Sequence, residues 1–335
     1  MPETPSDRPD APAPADCWRV SSGSAAVLGL CDLRLDAAPT TAYLMLGGRC
    51  QRGCAFCAQA RGSTASADAL SRVTWPPYAA ERVADAVAAG YAAGRIARAC
   101  FQVTHSAGHL ALAERTVAAL AARTSAPICV SVAPRSEDDV ARLLAAGAQR
   151  VTIALDGATQ EVYRRIKDGS WARTLGLLEA CAQCFPGRIG THLIVGLGES
   201  ERDMAMRLQQ MADWGVTAGL FAFTPVRGTP LADHPAPELA HYRRVQAARW
   251  LITRGLARAE QMGYDGSGRL TGYGLEHDTL RQLLADGGAF RTSGCADCNR
   301  PYYNERPGGV LYNYPRPLAP AEAQAELSAL LASLQ

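Results

Sequence analysis

Cys50, Cys54 and Cys57 stand in a C-x3-C-x2-C run, with Phe56 immediately before the last cysteine. Three thiolates at this spacing can hold three irons of a cubane [4Fe–4S] cluster and leave the fourth iron without a protein ligand. Such an open iron can chelate a small molecule and pass an electron into it. The alternative is structural zinc, but zinc normally takes a closed set of four ligands, and the local run supplies three. A second pair, Cys295 and Cys298, forms C-x2-C near the C-terminus. Two ligands cannot complete a cluster, and the candidates for the rest are Cys100, Cys129, Cys31 and the hydroxyl of Ser293. A zinc knuckle or free thiols is the plainer reading of that pair. Cys181 and Cys184 form another C-x2-C, inside a helical pattern, and read as helix-face thiols.

Other stretches have the form of ligand-holding loops. In THLIVGLGESERD (Thr191–Asp203), an apolar run containing Ile194 ends in Gly196, Gly198 and Glu199 and opens a helix. Backbone there can approach a ligand closely at a helix N-terminus, although a tight turn has the same composition. Asp156 closes the run VTIALD, where its carboxylate can accept both hydroxyls of a ribose or cap the next helix. FTPVRGTPL places Thr224 and Pro225 at the end of another strand, and VTHSAGH places Thr104, His105 and Ser106 likewise. His105 reads as a proton donor or as a polar rim residue.

These loops need strands to carry them. Near-continuous apolar runs at 41–46, 98–104, 127–133, 150–155, 190–197 and 219–224 predict parallel strands buried on both faces. Helical patterns at 78–94, 109–123, 136–146, 159–183 and 200–214 lie between them. This alternation predicts βαβ units with right-handed crossovers, six of them. The fold class is therefore α/β, a partial (β/α)6 barrel with the first cysteine run at the carboxyl end of its first strand, where barrels place their sites. A long helix at 237–261 and a short one at 319–333 follow.

Length and composition agree. The 335 residues have a net charge of +2, which suggests neither a nucleic-acid partner nor a membrane surface. No apolar run approaches the ~20 residues of a membrane span. Residues 1–16, rich in Pro and Asp, lack the form of a signal peptide and read as a disordered tail. Eleven cysteines in clustered spacings predict metal binding in a reducing compartment, hence a cytoplasmic protein. Lys167 is the only lysine.

The combination of C-x3-C-x2-C, LIVGLGE and FTPVRGTPL resembles the radical S-adenosylmethionine (SAM) superfamily, and within it the biotin and lipoyl synthase branch. PTTAYLML (Pro39–Leu46) and CADCNRPYYNERPGG (Cys295–Gly309) most resemble a subunit of the two-component lipoyl synthases. The resemblance implies a radical SAM barrel over 40–262, an N-terminal extension at 17–39 and a C-terminal extension at 263–335 folded over the barrel mouth.

It implies SAM on the open iron, with Phe56 and the run of Ile194, Gly196, Gly198 and Glu199 near adenine. Asp156 would take the ribose and Arg165 the methionine carboxylate, with Thr224 and Pro225 lining the pocket. The superfamily's Gly-Gly-Glu contact to the methionine amine is absent, and Thr104, His105 or Ser106 would replace it. A second, auxiliary [4Fe–4S] cluster would sit on Cys295 and Cys298. Cys100 and Cys129 occupy two positions of the biotin synthase set, and Ser293 matches a serine of the lipoyl synthase set. Gly190 stands where biotin synthases have a third barrel cysteine, and only Cys17 and Cys31 precede the barrel, where common lipoyl synthases carry three.

The implied activity is SAM cleavage to a 5′-deoxyadenosyl radical, hydrogen removal at C6 or C8 of an octanoyl chain, and attack of the substrate radical on a sulfide of the auxiliary cluster. A wall of Ala154, Val132, Leu193, Phe221 and Phe223 would suit an acyl chain. The implied partners are an octanoylated carrier protein, a second related radical SAM subunit and an electron donor such as ferredoxin or flavodoxin. The alternatives are biotin synthase-like sulfur insertion into a free small molecule, and a non-catalytic cluster-binding partner subunit.

Overall fold

The computed structural model describes residues 17–305 and 308–335. The tail expected over 1–16 lies outside the described residues. β1 (Cys17–Val20) and α1 (Ser22–Val27) lead to β2 (Thr41–Leu46), whose exit loop carries the first three clustered cysteines. A small hairpin, β3 (Ala69–Leu70) and β4 (Val73–Thr74), precedes β5 (Pro77–Ala79) and α2 (Ala80–Ala92). Strand and helix then alternate through β6 (Arg98–Val103), α3 (His109–Ala121), β7 (Ile128–Ser131), α4 (Glu137–Ala145) and β8 (Arg150–Thr152). They continue with α5 (Gln160–Ile166), α6 (Trp171–Cys184), β9 (Ile189–Val195), α7 (Glu201–Asp213), β10 (Thr217–Ala222) and α8 (Leu239–Thr253). The chain closes with β11 (Gly263–Tyr264), β12 (Leu270–Gly272), α9 (His277–Leu284) and α10 (Pro320–Ala332).

One eight-stranded sheet has the order β10-β9-β8-β7-β6-β2-β1-β5. From β2 to β10 every neighbouring pair is parallel, which gives the six expected strands. β1 pairs antiparallel with both β2 and β5. β1 and β5 span only four and three residues, too few to show a period.

Alternation along each strand separates two faces. Leu44, Phe101, Val130, Val151, Leu193 and Leu220 pack outward into the main core, between sheet and helices. Each such fully buried aliphatic or aromatic side chain contributes about 1.5–3 kcal/mol. Tyr43, Cys100, Cys129, Thr152, His192 and Phe221 point the other way, into an internal cavity. Leu193 and Val132, expected on the cavity wall, therefore belong to the outer core, and His192 and Ile194 take the wall instead.

The helix expected over 159–183 breaks in two. α5 stops at Ile166, Gly169 turns with φ 108°, and the Ser170 hydroxyl caps α6 by accepting from Arg173 N. The long helix expected over 237–261 stops at Thr253, before Gly255 at φ 67°.

β10 is the last strand of the sheet, and its free backbone groups are covered rather than exposed. The Ser293 hydroxyl accepts from Leu220 N at 2.8 Å, and Asn304 Nδ2 donates to Ala222 O at 2.8 Å. Between these two points the C-terminal extension passes the amino ends of the strands. Thr40 N donates to Asn299 Oδ1 at 2.9 Å, and Arg98 Nη1 to Ala296 O at 2.6 Å. The extension reaches the mouth-side loops at Tyr302 and Glu305, beside Pro225 and Arg227. The Cys295–Asn299 turn lies at the opposite end, where it forms the barrel floor.

Candidate functional site

The loop after β2 is folded by its own polar bonds. Arg49 donates to the carbonyls of Ala58, Ser63 and Ala65, and Gly53 N is bound by the Asp168 carboxylate at 2.5 Å. Cys50, Cys54 and Cys57 are half-buried on this loop, and Arg52 N donates to Cys50 Sγ at 3.4 Å. Burial pushes the Cys54 thiol up to about 11 and the Cys57 thiol up to about 12. Thiolates in such a place need a cation beside them, and a bound metal supplies one. Cys57 and Phe56 both line the internal cavity, of about 200 Å³.

Asp156 also faces that cavity, in a left-handed conformation (φ 65°) that turns the chain at the end of its strand. Its carboxylate is paired with Lys167 Nζ at 2.7 Å, and the same ammonium donates to Ala154 O at 2.6 Å. Sequence reasoning assigned no role to Lys167. Its signal was that the chain has no other lysine.

The Gly-rich run after β9 is a closed turn. Glu199 is buried and accepts from Gly196 N at 2.7 Å and Leu197 N at 3.0 Å, while Arg165 donates to Leu197 O. Gly196 has φ 97°, and a Cβ there would lie 2.8 Å from the Pro237 ring. Glu199 and Arg165 thus hold the turn, and Ile194 presents its side chain to the cavity.

Thr104 donates into Leu46 O and Gly48 O, at 3.1 and 2.7 Å, tying β6 to the exit of β2. His105 packs against His109, with ring centroids 4.4 Å apart and planes tilted by 55°. Thr224 lines the cavity and accepts from Asn304 Nδ2 at 3.0 Å, whereas Pro225 lines a separate opening on the mouth side.

At the floor, strand register brings thiols together. Tyr43, Cys100 and Cys129 are direct register partners across β2, β6 and β7. Cys295 Sγ lies 3.4 Å from Cys129 Sγ, and Cys298 Sγ lies 3.2 Å from Tyr43 Oη. All four cysteines line the same cavity as Cys57. Ser293 does not join them. Its hydroxyl accepts from Leu220 N at the edge of β10, while Cys129 lies beside Cys295. Cys31 is exposed on the loop after α1, and Cys181 and Cys184 lie on α6, as helix-face thiols would.

Three guanidinium groups surround these thiols. Arg98 donates to Cys129 Sγ at 3.1 Å, Gln149 Oε1 at 2.6 Å and Ala296 O at 2.6 Å. Arg300 donates to Ser293 O at 2.7 Å and stacks over Phe221, and Arg150 neighbours Cys295. No carboxylate is among these partners, and the Nε of Arg98 and of Arg150 are buried without any. Hydrogen bonding from Cys129, with Arg150 and Arg98 nearby, holds the Cys295 thiol down, while the Cys129 thiol is pushed up as the proton donor of the pair. Arg98 buried, and Arg150 and Arg300 half-buried, with thiols and no bonded carboxylate beside them, fit an anionic occupant. Among the described residues no three His, Cys, Asp or Glu side chains converge on a single metal ion.

The Radical SAM superfamily model matches residues 44–211, half of the chain. The chain belongs to the radical SAM superfamily. Membership makes it a radical enzyme that uses a [4Fe–4S] cluster and SAM. The three thiols of the β2 loop fit that cluster, with the cavity beside them. No curated protein matches the chain in sequence.

Solved radical SAM structures do match in fold. HydG, a maturase of the [FeFe]-hydrogenase, superposes with TM-score 0.53 at 12% identity over 65% of this chain and 51% of its own. HydG from Carboxydothermus hydrogenoformans gives 0.51 at 16% identity over 72% and 55%. Methylornithine synthase (PylB) gives 0.50 at 13% identity over 64% and 62%. The radical SAM chain described here spans about half the length of HydG, and at these identities the likeness is one of fold. No helix among the described residues is long and apolar enough to cross a membrane.

Proposed function

We propose that this radical SAM enzyme inserts sulfur into an octanoyl chain on a carrier protein, as one subunit of a lipoyl synthase-like pair. The observation that carries the reading is the group of Cys100, Cys129, Cys295 and Cys298 on the wall of the cavity that Cys57 and Phe56 also line. When loaded, the two clusters would supply a 5′-deoxyadenosyl radical at one end of this cavity and sulfide at the other. The protein's part is placement. Phe56, Ile194, Phe221 and Phe223 give the space between an apolar wall that suits a hydrocarbon chain. Asp156, steadied by Lys167 and facing the cavity, would accept the ribose hydroxyls of SAM. Arg98, Arg150 and Arg300 offset the negative charge of four thiolates. An external electron donor completes the set, and the clustered thiols suit a reducing, cytoplasmic setting.

Anaerobic reconstitution tests this. Iron should fall from about eight to about four per chain in Cys295→Ala/Cys298→Ala, with SAM cleavage retained and C–S bond formation lost. About four irons in both proteins would remove the auxiliary cluster and the sulfur-insertion reading with it. A second reading, sulfur insertion into a free polar molecule, is favoured by Gln102, Thr152 and His192 on the same wall. Burial lowers His192 to about 4, so it offers a neutral imidazole there. Supplying an octanoyl-lysine peptide beside dethiobiotin separates the two readings.

A further inference from the structure

We propose that Arg72 and Arg227 are the docking point for an acidic face of the carrier domain, flanking the opening through which its acyl arm enters. The identity of the carrier rests on the sulfur-insertion reading, and the geometry of the opening does not. A pocket of about 400 Å³ lies between the β3–β4 hairpin, the loop after β10 and the C-terminal extension. Ser71 and Val226 line both this pocket and the internal cavity, so the two spaces meet at those residues. At the outer end stand Arg72 and Arg227, both exposed.

Some exposed arginines are matched with acids, Arg123 with Glu81, Arg135 with Asp139, Arg258 with Asp213 and Arg316 with Glu322 among them. Others, such as Arg115 and Arg164, are not, so Arg72 and Arg227 are set apart by their place at the opening. Among the described residues, Arg72 and Arg227 have no such match. Glu305, the one carboxylate among the described residues of the pocket, is 6% exposed and accepts from Asn304 N at 3.2 Å and Asn313 N at 2.8 Å. The rim therefore presents uncompensated positive charge.

The frame beneath it is firm. Thr64 N donates to Gly228 O at 2.9 Å, and a Cβ on Gly228 (φ 85°) would lie 2.6 Å from Ala65 N. Ser71 Oγ donates to Tyr303 O at 2.6 Å. A small anion would want convergent, buried donors, whereas two exposed guanidiniums on separate loops suit a broad acidic surface that steers and orients a partner. Such contacts weaken with salt.

The test is titration of the octanoylated carrier domain against the reconstituted full chain, at low salt and at about 0.3 M salt. Arg72→Glu/Arg227→Glu should weaken binding about tenfold or more and flatten its salt dependence, while Arg72→Lys/Arg227→Lys keeps both near wild type. Unchanged affinity in the Glu variant, equal loss in the Lys variant, or no carrier binding to the wild type would overturn the proposal. Thiolation is scored separately. Charge-dependent binding without sulfur transfer would sink the sulfur-insertion reading alone. Transfer at wild-type KM by the Glu variant would sink the docking alone.

Discussion

Lys167 and Asp156 carry a test of how the cofactor face of the cavity is held. Their side chains are 11% and 9% exposed, so each charge depends on the other. Removing one partner of such a buried pair typically costs about 3–5 kcal/mol, because the other is left uncompensated. Lys167→Met should therefore lower the denaturation midpoint clearly and weaken SAM binding. Lys167→Met/Asp156→Asn should recover much of the stability without recovering SAM affinity. Denaturant melts on the metal-free protein and SAM titration on the loaded one separate the two effects. If the double variant is no more stable than Lys167→Met, the pair is not the coupled unit its 2.7 Å separation suggests.

At the scale of elements, the floor turn hangs on Asn299. Its side chain accepts from Thr40 N at 2.9 Å and donates to Ala38 O at 2.9 Å and Pro315 O at 3.2 Å. Hydrogen bonds of this kind are worth about 1 kcal/mol each. On the two-cluster reading proposed above, Asn299→Ala should free the turn that carries Cys295 and Cys298, lowering iron toward that of the first cluster alone while SAM cleavage persists. Full iron content in this variant would show that the thiols hold the turn, not Asn299. The sequence announced the six parallel strands and the Cys50–Cys57 loop, because a buried strand and a local ligand run are written in adjacent residues. It announced Cys100 and Cys129 as candidates too. Their meeting with Cys295 and Cys298 was not legible, since it depends on the register of β6 against β7 and on a chain reversal almost two hundred residues away. The direction of the Ser293 hydroxyl, toward a sheet edge, turns on one hydrogen bond, and no spacing rule could have shown that.

For the molecule as a whole, the C-terminal extension is a strap that must be fastened at its far end. Arg243 on α8 does this: its guanidinium is buried and donates to Leu311 O and Tyr312 O, at 2.6 and 2.5 Å, and to both oxygens of Glu326 on α10 at 2.8 Å. Burial would by itself raise the Glu326 carboxyl, but the bonds from Arg243 and Tyr314 outweigh it and hold the group below its usual range. A carboxylate with a lowered folded-state pKa contributes stability that is present above its unfolded value, about 4.3, and is lost as pH falls through the folded one. Acid should therefore unfasten α10 before it unfolds the barrel, whose parallel core contains no such pair between its strands. Hydrogen exchange on the metal-free chain is the readout. Between about pH 7 and about pH 3.5, protection should fall first in 311–332 and then in the floor turn, with β6 and β7 unchanged. Arg243→Met should bring the same order of release to neutral pH, where Glu326 is charged and has lost its partner. Loss of protection in the barrel strands at the same pH as in α10 would mean that the strap and the barrel unfold as one unit, and that Arg243 fastens nothing that can open separately.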